Sequence, residues 1–228
     1  MQRHFDEQIL ELLQRLVIMG RTAEAMVRAA VRMLVDRSDA PGAEVDAKER
    51  EVNDLQMEID DRAVKLTALQ QPVAADVRTL FMASRIASEL ERIGDQAVNI
   101  RQNAGFLLQA PPLKPLVDLP LMAEIAEGMV RDALESLVRR DCDLARRVME
   151  DEKRVDALKD QIFRELLTYM MADPATIQRA LALILISRNL ERVGDHATNI
   201  AEEVIFLVKG RDVRHGHDAE AAGEAKDA

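Results

Sequence analysis

Two stretches carry most of the polar chemistry in this chain. One is Leu90-Glu91-Arg92-Ile93-Gly94-Asp95-Gln96-Ala97-Val98-Asn99-Ile100; the other is Leu190-Glu191-Arg192-Val193-Gly194-Asp195-His196-Ala197-Thr198-Asn199-Ile200. They are offset by 100 positions (191−91, 195−95, 199−99), and Phe106 and Phe206 keep the offset. A repeat this sharp makes the chain two copies of one unit. Repetition of a helical core would keep the apolar positions and let the polar ones drift, so retained Glu, Asp and Asn point to a site built twice. On a helix, Glu91, Asp95 and Asn99 share one face, as do Glu191, Asp195 and Asn199. Like charges at that spacing repel by a few tenths of a kcal/mol, so a compensating arginine or cation is expected. Gly94 and Gly194 each cost roughly 1 kcal/mol against alanine, which suggests close approach of a helix or ligand.

A fainter repeat adds to the acids. Val45, Glu49, Val52 and Leu55 have the spacing of Val148, Glu152, Val155 and Leu158, and Asn53 and Asp156 follow the glutamates by four residues. These positions continue the apolar stripes, where a carboxylate is costly unless paired or metal-bound. One reading pairs the acids with Arg85, Arg92, Arg188 and Arg192. The other places a cation among Glu49, Asn53, Glu91 and Asp95, and a second among Glu152, Asp156, Glu191 and Asp195, with no lysine on those turns. All-oxygen donors suit magnesium, manganese or iron better than a structural zinc site. His196 falls one residue off the Asp195 face, at a rim. Cys142, the only cysteine, reads as a structural thiol.

Catalytic alternatives are weaker. A di-metal carboxylate enzyme in a helical bundle uses Glu-x-x-His pairs, and the sequence contains none. Neither a phosphate-cradling glycine loop nor a nucleophile motif is present. No enzyme activity is expected.

The elements that must position these acids are helices. Phe5, Ile9, Leu12, Leu16, Met19, Ala23, Met26, Ala30 and Leu34 predict a helix over 2–37, loosened at Gly20. Ser38-Asp39-Ala40-Pro41-Gly42 breaks it, and a second helix runs to about Gln70. Gln71-Pro72 opens a third, ending after Phe106. Pro111, Pro112, Pro115 and Pro120 form a linker. Helices over about 121–140, 143–171 and 174–209 repeat the plan, with Asp173 as a cap and Gly210 as a stop. The expected division is one three-helix bundle over 1–110, a linker over 111–120, a second bundle over 120–209 and a disordered tail over 210–228. That tail holds His215 and His217, which would catch metal only weakly.

Composition narrows the class. With 228 residues, 48% of them hydrophobic, and no Trp, the chain reads as an all-α soluble protein. A net charge of −10 argues against nucleic-acid binding. The longest apolar run, near Ala180–Ile186, is too short for a membrane span. The N-terminus lacks a hydrophobic signal core, so a cytoplasmic location is expected.

At these motifs the sequence resembles the PhoU family of phosphate-transport regulators. The resemblance is carried by Leu69–Arg78, Leu90–Asp95, Leu190–Glu203 and Asp212–His215, and spans about Phe5 to His215. It implies two tandem three-helix bundles related by a pseudo-twofold. It also implies metal ions, iron, zinc or other divalent ions, held singly or in multinuclear clusters on paired Glu/Asp-x-x-x-Asp motifs. Glu91/Asp95, Glu191/Asp195 and Glu152/Asp156 match that motif; Glu49/Asn53 departs from it by one amide. The implied partners are the ATPase subunit of the phosphate ABC transporter (PstB) and the phosphate sensor kinase (PhoR), with the membrane met only through them. The implied role is negative regulation of the phosphate-starvation response by a homodimer. Counting charges over the motif positions alone, the second half should hold metal more tightly than the first.

Overall fold

The computed structural model describes residues 2–70 and 72–210. Six α-helices account for nearly all of it: α1 (Gln2–Asp36), α2 (Gly42–Gln70), α3 (Ala74–Leu108), α4 (Asp118–Arg139), α5 (Cys142–Ala172) and α6 (Ile177–Lys209). No strand occurs among the described residues. Of the tail expected over 210–228, residues 211–228, with His215 and His217, lie outside the described residues, as do Met1 and Gln71.

The helix ends follow local chemistry. Asp141 caps α5, its carboxylate accepting from the Asp143 and Leu144 N–H groups at 2.9 and 3.0 Å; these backbone donors hold its pKa below the ordinary aspartate value. Asp173 accepts from Ala175 N–H at 2.9 Å and opens a short 3-10 turn, Pro174–Thr176, ahead of α6. Gly210 stops α6 with φ 68°, its N–H donating to the Phe206 carbonyl. α3 runs two residues past the expected end at Phe106, to Leu108, where the Arg37 guanidinium donates to the carbonyls of Leu108 and Ala110.

Each half buries a helix-spaced stripe: Leu12, Leu16, Met19, Met26, Ile59, Ile86 and Leu90 in the first, and Met122, Met129, Val155, Ile162, Leu166, Ile186 and Leu190 in the second. At about 1.5–3 kcal/mol for each large side chain withdrawn from water, these stripes dominate the folding energy. They merge into one continuous core, because the halves meet along α1 against α4 and α3 against α6. Both contacts are antiparallel. As α3 ascends through Arg78, Arg85 and Glu89, its partners descend α6 through Phe206, Glu203 and Asn199. As α1 ascends from Gly20 to Arg28, its partners on α4 descend from Leu134 to Glu127. α1 is unbroken at Gly20, so no loosening occurs there. A Cβ at Gly20 would overlap the Leu134 side chain, and the glycine instead allows the two halves to close.

Candidate functional site

The motif acids lie beside the core stripes rather than on them. Ile93, Ala97 and Ile100 fill the α3 stripe and are fully buried. Glu91 is half-buried and Asp95 exposed, while Glu191 and Asp195 are both half-buried. On the facing helices Glu49, Glu152 and Asp156 are half-buried and Asn53 is exposed. The stripe expectation misses because the helices of a three-helix bundle turn a narrow face inward; the acids occupy the flanking positions, on the surface between the second and third helix of each half.

The second-half acids influence one another through their charges. Burial, followed by the charges of Asp195, Asp156, Glu202 and Glu191, pushes the Glu152 pKa up. Burial, followed by Glu191 and Asp156, does the same at Asp195. Into this negative field projects Lys159, one turn beyond Asp156. Its ammonium donates to Glu191 Oε1 at 2.9 Å and Asp156 Oδ1 at 3.2 Å, with Asp160 at 3.8 Å. The expectation that no lysine serves these turns therefore fails: Lys153 stands between Glu152 and Asp156 in the chain, and Lys159 reaches back from the next turn. In the first half Glu91 sits with Asp95 on α3, and burial, then Asp95, raises its pKa.

Of the arginines in the ion-pair reading, Arg92 does act on a motif acid, its charge opposing the rise at Glu91. Arg85 pairs with the buried Glu203 across the halves, and Arg92 with Glu89 at 3.1 Å. Arg188 and Arg192 are exposed. Among the described residues no three acidic, histidine or cysteine side chains come together as a group that could hold a metal ion. The side chains at these positions offer only oxygen donors, and in the second half Asp156 and Glu191 are already closed on the Lys159 ammonium.

His196 has a role that sequence spacing missed. It is half-buried, and its Nδ1 lies 2.8 Å from Glu89 Oε2, which also accepts from Asn199 Nδ2 at 2.9 Å. Burial would raise the Glu89 pKa, but the bonds from His196 and Asn199 outweigh it and hold the carboxyl below its ordinary value. This junction joins α3 to α6. Between α1 and α4, Arg28 donates to Glu24 and, at 2.9 Å, to Glu127. A second offset could have revealed that seam. Met19, Glu24, Met26 and Arg28 reappear 103 positions on as Met122, Glu127, Met129 and Arg131 (127−24, 131−28).

Comparison with known proteins agrees with this architecture. The family profile described as the PhoU domain matches residues 16–104 and again 119–204. A phosphate-specific transport system accessory protein PhoU homolog from Pseudomonas putida is 37% identical, over 93% of this chain and 84% of its own. The crystal structure of PhoU from Pseudomonas aeruginosa superposes with a TM-score of 0.87 at 36% identity, covering 91% of this chain and 100% of that one. The phosphate transport system regulatory protein PhoU from Streptococcus pneumoniae, at 23% identity and a TM-score of 0.83, shares the fold over 92% of this chain and 99% of its own.

Proposed function

The chain belongs to the PhoU family, and from that premise we propose that it is a non-enzymatic, metal-binding regulator of phosphate uptake. It acts in the cytoplasm as a homodimer on the ATPase subunit of the phosphate ABC transporter and on the phosphate sensor kinase, damping the starvation response. The match of both halves to the family, over nearly the whole length, carries this reading. Among the described residues no helix is long and apolar enough to cross a membrane. Exposed apolar side chains beside each pair of second and third helices support docking: Val64 and Phe81 in the first half, Phe163 and Leu181 in the second.

In this proposal Glu49, Asn53, Glu91 and Asp95 would hold one ion or cluster, and Glu152, Asp156, Glu191 and Asp195 the other. A bound iron, manganese, magnesium or zinc ion would supply positive charge to carboxylates whose mutual repulsion otherwise loads the fold. A pull-down with the tagged full-length chain from phosphate-replete cells tests the role. Recovery of the transporter ATPase and the kinase is the expected result. Recovery of neither, with a metal-dependent oxidase or hydrolase activity in the pure protein, would overturn it. Metal analysis per chain tests the site: Asp195→Ala should lower the bound metal, and unchanged content would return these acids to structural ion pairing.

A further inference from the structure

The connection between the halves closes over a cavity that contains none of the motif acids. Its volume is about 250 Å³, and its walls come from the end of α1, from Leu107 on α3, from Leu183 on α6 and from the run Pro111–Leu116. Both halves and their tether thus line one chamber, and junctions of this kind are where small-molecule sites tend to form. Proline fixes φ, and Pro111, Pro112 and Pro115 stand in this wall. The tether is also held from both sides. Arg37 donates to the Leu108 carbonyl at 3.4 Å and the Ala110 carbonyl at 2.6 Å. Arg179 on α6 donates to the Pro111 carbonyl at 3.0 Å. The chamber is preformed, so a ligand would enter it without ordering a loop.

The lining is apolar except for two cations, Arg37 and Lys114, and it includes no carboxylate. Lys114 lies unusually deep, with 8% of its side chain exposed, where lysine is rare unless paired. Its ammonium has three N–H donors, and the partly exposed Glu165 is its single acceptor among the described residues. Arg37 bonds only to carbonyls, and no carboxylate among the described residues pairs with it. Two cations against one glutamate leave an excess of one positive charge beside apolar walls. We propose that this cavity binds a small aliphatic carboxylate. Its alkyl chain would lie among Leu34, Leu107, Leu116 and Leu183, and its head would meet Lys114 and Arg37. One negative charge completes the neutralisation, whereas a dianion such as a phosphate monoester would bring an uncompensated charge into an apolar chamber. Such a ligand touches both halves and the tether at once, so occupation would tighten the seam.

This inference rests on neither the metal nor the partner reading, and the pure full-length chain tests it. Wild type and the Lys114→Gln, Arg37→Gln, Val35→Phe and Arg188→Gln variants are titrated calorimetrically with butanoate, octanoate, dodecanoate, octanol and octylammonium. Octanoate should bind once per chain, about tenfold more tightly than octanol, and octylammonium should not bind. Each methylene added between butanoate and octanoate should tighten binding roughly fourfold, and the gain should fade by dodecanoate as the cavity fills. Lys114→Gln should weaken octanoate about tenfold and leave octanol unchanged, a separation that a merely structural lysine would not produce. Val35 lines the cavity and is exposed, so Val35→Phe should block both ligands without unfolding the chain. Arg188→Gln, which removes an exposed arginine outside the cavity, should bind as wild type does. Octanoate should also raise the wild-type melting temperature, because it binds only the folded chain. The proposal is overturned if octanoate does not bind, if octanol binds as tightly, or if octanoate affinity survives both Lys114→Gln and Val35→Phe. Should Lys114→Gln not fold, Arg37→Gln decides, since an unchanged ratio of octanoate to octanol affinity would refute a cationic anchor.

Discussion

Two glutamates with opposite surroundings give opposite responses to pH. Arg15 holds Glu58 through Nε at 2.9 Å and Nη2 at 2.5 Å, and Arg62 adds a contact at 2.7 Å. The hydrogen bond from Arg15 is the largest influence, and it lowers the Glu58 pKa. A depressed carboxylate adds stability above its ordinary value and loses it as pH falls through the folded one. At Glu127 burial dominates and raises the pKa despite Arg28. Its favourable contribution is complete at low pH and is lost as pH rises through the folded value. Glu58→Gln should therefore destabilise at pH 7, by less than about 1 kcal/mol because the pair is partly exposed, and cost nothing at strongly acidic pH. Glu127→Gln should gain on wild type as pH rises over the acid range. Melting temperature against pH for both variants checks this, and parallel curves would refute it. At this scale the sequence was legible in residue type and opaque in partnership. The eight motif positions stood out by repetition, but Lys159, Glu89 and Arg85 did not, because pairing depends on where long side chains reach between helices and spacing along one helix does not encode that.

Helices were more legible than pairs. Apolar periodicity and the caps at Asp173 and Gly210 placed all six to within a few residues, since a helix end depends on a handful of local hydrogen bonds. What periodicity could not show was which glycine mattered. A Cβ on Gly94 would meet Val52 and Met26 at 3.5–3.7 Å, and one on Gly194 would meet Met129 and Val155 at 3.6 Å, ordinary contact distances. Gly94→Ala should then stabilise by up to roughly 1 kcal/mol through helix propensity. Gly20→Ala should destabilise, because overpacking against Leu134 at about 1–3 kcal/mol outweighs the same gain. Urea denaturation of the two variants decides it, and the reverse order would show that the glycines' roles are misassigned.

The halves are joined by buried charge as well as by apolar contact. Arg85 leans over the Phe81 ring at 5.7 Å while pairing with Glu203, whose side chain is 6% exposed. Arg85→Ala withdraws that guanidinium from a buried carboxylate and should cost about 1–3 kcal/mol, less than the roughly 3–5 kcal/mol of a fully buried pair because Arg85 is itself partly exposed. Because the pair spans the seam, calorimetry should show the single transition broaden or divide; a melt that shifts without changing shape would mean the halves are coupled elsewhere. The seam has one further implication. Glu24 and Arg28 on α1 correspond to Glu127 and Arg131 on α4, and Arg28 reaches both glutamates, so the surface meets a rotated likeness of itself. That is the property of an isologous contact between identical subunits. The seam is thus a pseudo-twofold contact within one chain, its two sides joined by the proline-rich connection over 111–120. The two sides do not match everywhere: Glu89 and His196 face each other, while their counterparts at the 100-residue offset are Asn189 and Gln96.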